Sequence, residues 1–162
     1  MTLETLIDDT RWDEAGLEAL VDVAERATLA HLGLDPDVCE GSVLGCDDEK
    51  IIELNTQFRE KDKATNVLSW PAAERATPNM RPPLPEPDFD GSVELGDIAI
   101  SFDTCAREAE AAGTPFEHHI THLIVHGLLH VLGYDHITDA DADIMERIET
   151  EILASLGVPD PY

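Results

Sequence analysis

The segment His126-Gly127-Leu128-Leu129-His130-Val131-Leu132-Gly133-Tyr134-Asp135-His136 constrains this chain more than any other part of it. On a helix, side chains four apart project from one face, with Cβ atoms roughly 5–6 Å apart. His126 and His130 can therefore grip one metal ion together. Gly133 follows the last apolar helical residues, where a left-handed residue commonly ends a helix. The chain can then turn back and bring His136 to the same ion. Three imidazoles with a fourth position left open describe a catalytic zinc site, because structural zinc sites are usually closed by four protein ligands.

The helix that would carry these ligands has a start signal of its own. Thr114-Pro115-Phe116-Glu117 reads as an N-cap threonine, a proline at the first helical position and a glutamate closing a capping box. Ile120, Leu123, Ile124, Leu128, Val131 and Leu132 then recur at helical spacing. One helix from about Pro115 to Leu132 follows. His122 shares its face, one turn before His126. Using His122, His126 and His130 together would stretch a site over two turns, too far along the axis for one small ion. His122 is therefore expected in a supporting shell or as a substrate contact, with His118 and His119 facing solvent and His31 at a helix end.

Two metal-dependent families share the histidine spacing, and one residue separates them. Zinc peptidases of the metzincin type have glutamate, their general base, directly after the first histidine. Here that place holds Gly127, which cannot abstract a proton. With Gly127, and with Tyr134-Asp135 ahead of His136, the segment resembles the YbeY family of bacterial endoribonucleases. Leu54-Asn55-Thr56-Gln57-Phe58-Arg59, then Thr65-Asn66-Val67-Leu68-Ser69-Trp70-Pro71, is similar to a second signature of that family, and Leu95-Gly96-Asp97-Ile98-Ala99-Ile100-Ser101 to a third. Met145, Glu146, Glu149 and Leu156-Gly157 fit its closing helix. The resemblance covers most of residues 41 to 157. It departs at Asn66, where the family usually has Asp, and at Trp70, where it usually has Phe.

The resemblance implies a zinc-dependent endonuclease for single-stranded RNA, active in maturing the 3′ end of the small-subunit (16S) rRNA and in ribosome quality control. It implies one zinc ion held by His126, His130 and His136, a catalytic Arg59, and as partners rRNA and the small ribosomal subunit with its proteins. Neither DNA nor a membrane is expected. The chemistry of Arg59 agrees, since a guanidinium fork can bind two phosphoryl oxygens as negative charge accumulates on them. Asp135, beside His136, is a candidate base or a carboxylate orienting a ligand imidazole. Asp97, a polar point in an apolar strand, is a further candidate, read first as a strand-edge or turn carboxylate. Two other readings stand beside the endonuclease: a non-catalytic assembly factor with structural zinc, whose fourth ligand would be Asp135 or a cysteine, and a metallopeptidase.

A formal net charge of −25 stands against unaided RNA binding, which normally draws on a basic field. Three explanations are open. A local cationic groove could be built from Lys50, Arg59, Lys61 and Lys63; the host could live in high salt, which screens self-repulsion; or protein partners in a ribosomal particle could supply the binding. The first and third are favoured. Cys39, Cys46 and Cys105 lack Cys-x-x-Cys spacing and are odd in number, which suits thiols in a reducing cytoplasm. No apolar run is long enough to span a bilayer, and the acidic N-terminus does not resemble a signal peptide.

The expected fold is an α+β single domain over residues 1–162, with a small mixed sheet packed by helices and a zincin-like metal helix at its mouth. Strands are expected at about 2–8, 42–46, 66–70 and 95–102. Helices are expected at about 14–31, with Leu17, Leu20, Val21, Val23 and Ala24 inward, from Asp47-Asp48 to Phe58, over the ligand segment, and at about 139–156. Between the third and fourth strands, residues 71–92 hold Pro71, Pro78, Pro82, Pro83, Pro85 and Pro87, six of the ten prolines. Such a long irregular loop is usually functional or mobile.

Overall fold

Strand alternation in Val93–Ser101 organises the molecule. In the computed structural model, which describes residues 3–75 and 80–162, this strand (β4) lies inside a four-stranded sheet. The others are β1 (Leu3–Ile7), β2 (Cys39–Cys46) and β3 (Val67–Pro71), in the order β1-β2-β4-β3. β1 pairs with β2 and β2 with β4 in parallel, whereas β3 runs antiparallel along β4 as the outer strand. Parallel neighbours need crossovers. The first crossover contains α1 (Arg11–Ala15) and α2 (Leu17–Leu32); the second contains α3 (Asp48–Arg59), β3 and the proline-rich loop.

The two sheet faces bury different helices. Ile51 of α3 packs with Cys46, Leu68 and Ala99 on one face. On the other, Val43, Val93, Ile98 and Ile100 meet α2, α5 (Phe116–Val131) and α6 (Asp139–Ser155) in the main core. α5 is buried at Ile120, Leu123, Ile124, Val125, Leu128, Leu129 and Val131, so nearly all its circumference is covered, as expected of a central helix. This mixed α+β architecture is the one expected from the sequence. Among the described residues, no helix is long and apolar enough to cross a membrane.

Four local expectations are corrected. The helix expected at 14–31 is broken at Gly16, whose φ of 75° ends α1 and begins α2. Trp12 from the short α1 is fully buried and donates its indole N–H to the Cys46 carbonyl at 2.9 Å. Val23 faces outward at 48% exposure, while Glu25 and Thr28 are buried. A helix not anticipated, α4 (Phe102–Ala112), follows β4 directly. Its inward side carries Phe102, Cys105 and Ala109 against an outer face of charged residues, a helical periodicity that the sequence does contain; Phe102 anchors it against Trp12 and Phe116 with ring centroids 5.1 Å from each. Finally, the capping box does not form. Pro115 itself is the N-cap of α5, without a side-chain cap, and the Thr114 N–H turns back to the Ala109 carbonyl at the end of α4.

Candidate metal centre and substrate cleft

α5 carries His126 and His130 on its one partly open side, and the turn after it returns His136 to them. Leu132 ends the helix, Gly133 adopts φ 104°, and the Tyr134 N–H bonds to the Leu129 carbonyl at 2.9 Å. Tyr134 is buried and pins the turn, leaving His136 exposed at the rim. The three imidazoles each offer a nitrogen, all within 4.8 Å of one another. Ring centroids are 4.6 Å apart for His126 and His130, 5.2 Å for His130 and His136, and 5.7 Å for His126 and His136. Burial, with the nearby His126 and His136 adding to it, holds His130 down to about 4. It is therefore neutral near pH 7 with a lone pair to give, as a metal ligand must be.

Glu149 of α6 is a site residue that the sequence reading left in its helix without a role. It is fully buried and accepts a hydrogen bond from Nδ1 of His126. That bond directs the His126 lone pair on Nε2 toward the other histidines. The Tyr162 hydroxyl donates to the second Glu149 oxygen, and His122 Nε2 stands 3.6 Å from that oxygen. Burial alone would raise the pKa of Glu149, but the nearby His122 imidazole and the hydrogen bonds from His126 and Tyr162 outweigh it and hold the carboxyl down to about 2. A signal for it did exist. Glu149 lies on the inward stripe with Met145, Ile148 and Ile152, where an acid requires a partner.

A cavity of about 560 Å³ opens over the histidines and is lined by Arg59, Thr65, Asn66, Ser69, His122 and Asp135 as well. Arg59 ends α3, and its guanidinium donates to the Ser69 carbonyl at 3.0 Å, which brings it to the cavity wall. Asp135 lines the cavity, but its Oδ1 accepts the adjacent His136 N–H at 2.7 Å. Asn66 donates to Glu108 at 3.0 Å, where an aspartate would meet a second carboxylate. Gly127 packs on β4, so close that an added Cβ would lie 3.1 Å from Ile98.

Other expected residues lie elsewhere. Asp97 is on the opposite, α3-bearing face of the sheet, where it accepts from Ser42 at 2.6 Å and borders a groove with Phe58 and Trp70. Strand alternation separates it from the face that α5 and its histidines cover. Lys50 is at the far end of α3 from Arg59 and faces Glu53 at 3.8 Å, which leaves it out of the expected cationic groove. His119 is not solvent-facing: it is partly buried and contacts Glu108 at 2.9 Å. The cysteines are buried and free, with Cys39 pushed up to about 11 and Cys46 to about 12 by desolvation. None joins the histidine set, and among the described residues that set has no fourth His, Cys, Asp or Glu.

Comparison with known proteins places the chain in a family. The family model described as Endoribonuclease YbeY matches residues 4–157. Proteins named Endoribonuclease YbeY from Ruegeria pomeroyi and Jannaschia sp. are 61% and 57% identical, covering all of this chain and 98% and 100% of theirs. The solution structure of TM1509 from Thermotoga maritima shares the fold with a TM-score of 0.59 at 22% identity, covering 96% of this chain and 92% of that one. The chain belongs to the YbeY family of endoribonucleases.

Proposed function

We propose that this protein is a zinc-dependent, single-strand-specific endoribonuclease that matures the 3′ end of 16S rRNA and serves ribosome quality control. The observation that carries the reading is the convergence of His126, His130 and His136 on the cavity that Arg59 also lines. Three imidazole nitrogens brought together suit a zinc ion with one position left for solvent or substrate. A zinc ion there would lower the pKa of a coordinated water or polarise a phosphoryl oxygen. The protein's own contribution is positional and electrostatic. Glu149 fixes the His126 ring, and Arg59 offers its guanidinium to phosphoryl oxygens as they gain charge. His122 and Asp135 border the cavity where flanking nucleotides would lie.

The net charge of −25 disfavours tight binding of free RNA, so recognition would draw on proteins of the small ribosomal subunit together with Arg59, Lys61 and Lys63. Structural zinc in a non-catalytic assembly factor would call for a fourth protein ligand. Asp135 is instead turned to its neighbour's N–H, and the cysteines are buried elsewhere. Peptidase chemistry would call for a base at Gly127.

The test is incubation of the purified protein with a defined single-stranded RNA and with precursor-containing small subunits, each with and without chelator, followed by mapping of product ends. Chelator-sensitive cleavage at the precursor 3′ end is expected. Cleavage unaffected by chelator, in protein free of stoichiometric metal, would refute the proposal.

A further inference from the structure

Arg75 stands at the start of the long proline-rich loop after β3. Its guanidinium donates to three backbone carbonyls from two elements. Nη1 reaches Val131 at 2.8 Å and Leu95 at 3.2 Å, and Nη2 reaches Glu94 at 2.5 Å. Val131 is the last residue of α5. Its carbonyl belongs to the set that a helix leaves without an internal partner, at the end where the helix dipole favours a cation. Glu94 and Leu95 lie at the irregularity where β4 slips against β2, since Glu40 pairs with Glu94 but Gly41 with Gly96. A bulge disrupts the ladder locally, and the Leu95 carbonyl there also accepts the Ala72 N–H at 3.1 Å. One planar fork thus ties the exit of the metal-bearing helix to the irregular end of the central strand.

The backbone of the same residue fills the space over the turn. A Cβ built on Gly133 would lie 2.7 Å from the Arg75 carbonyl oxygen and 2.8 Å from its carbon. Gly133 is where the chain leaves α5 for His136, with φ 104°. Arg75 therefore meets both sides of this junction: its side chain holds the carbonyl before the turn, and its main chain covers the turn itself.

We propose that Arg75 is a positioning residue for the third ligand, holding the Val131–Gly133 turn so that His136 stays in register with His126 and His130. The inference rests on the metal-centre reading above. Arg75 is not among the residues that line the histidine cavity; it acts through the helix exit. Lysine, with one compact ammonium in place of a planar fork, cannot serve three carbonyls in this way.

The test measures zinc affinity by chelator competition and the visible absorption spectrum of the cobalt-loaded protein, for the full chain and for Arg75→Ala, Arg75→Lys, His136→Ala and the Arg75→Ala/His136→Ala double variant. Arg75→Ala is expected to weaken zinc about 10–100-fold, the range for losing a group that orients a ligand, and to alter the cobalt spectrum. Arg75→Lys should fall between it and the wild type. In the His136→Ala background, Arg75→Ala should cause little further loss, because residues acting through one ligand are not additive. Affinity within twofold of wild type, or a full independent loss in the double variant, overturns the inference and leaves Arg75 as a purely structural clamp. If Arg75→Ala does not fold, as judged by near-ultraviolet circular dichroism, Arg75→Lys with and without His136→Ala supplies the same cycle. Absence of stoichiometric metal in the wild type is a different result, and it removes the metal-centre reading itself.

Discussion

Glu149, wholly buried in α6, accepts a hydrogen bond from Nδ1 of His126 in α5, 23 residues earlier in the chain. The bond selects which nitrogen of His126 faces the cavity, and the Tyr162 hydroxyl steadies the carboxylate from its other side. Replacing Glu149 by Gln keeps the shape but removes the charge that favours the N–H at Nδ1. Zinc affinity should fall about 10–100-fold, measured by chelator competition, with the fold retained by circular dichroism. An unchanged affinity would mean that the His126 ring is held by packing alone.

Arg59 meets the cavity from α3 and is anchored at the Ser69 carbonyl. Arg59→Ala should lower the rate constant for cleavage of a labelled single-stranded RNA by about 10²–10³-fold, the range for losing one donor to developing charge. Bound zinc should remain stoichiometric. Arg59→Lys keeps the charge without the fork and should recover only part of the rate. Single-turnover kinetics beside metal analysis separates these effects; equal rates in wild type and Arg59→Ala would contradict the assigned role.

The clustering of His126, His130 and His136 was legible because its geometry is local: four residues along a helix, then a glycine turn. Glu149 was not, because its partner lies on another helix and only packing joins them. Gly127 was read correctly as the absence of a peptidase base, but its contact with Ile98 is visible only once α5 lies on β4. Asp97 shows the opposite failure. It neighbours Ile98 in sequence, yet alternation along β4 sends the two side chains to opposite faces, and which face would carry the metal helix is a question of tertiary packing. The fold class followed from the order of periodic segments. α4 carries the same kind of helical periodicity, with Phe102, Cys105 and Ala109 set against charged neighbours, but it follows an apolar strand without a break, and that strand dominates the local pattern.

Gly133 and Gly16 both have positive φ but differ in surroundings, and alanine substitution should separate the two effects. At Gly16, φ 75° and open space around a new Cβ leave only backbone strain, about 1–2 kcal/mol. At Gly133 the Cβ would also meet the Arg75 main chain at 2.7 Å. Strain and overpacking together predict a loss of about 2–5 kcal/mol. Urea denaturation of the two variants at equal metal saturation checks the ranking; a smaller loss for Gly133→Ala would show that the loop yields easily there.

Glu25 gives a pH-dependent stability far from the metal centre. It is buried in α2; Oε2 accepts the Leu3 N–H at 3.3 Å, whereas Oε1 has no hydrogen-bond partner among the described residues. Burial raises its pKa above the ordinary 4.5. Between that value and the raised one, the folded state binds more protons than the unfolded chain, so this group makes stability fall as pH rises through the interval. Above the folded pKa the penalty for holding a buried charge is complete. Glu25→Gln removes the titration and should therefore stabilise the protein at pH 7, with the advantage shrinking as pH drops toward 4. Paired urea melts from pH 4 to 7 read this out. A difference independent of pH would show that the carboxyl titrates alike in the folded and unfolded protein, which contradicts a pKa raised by burial.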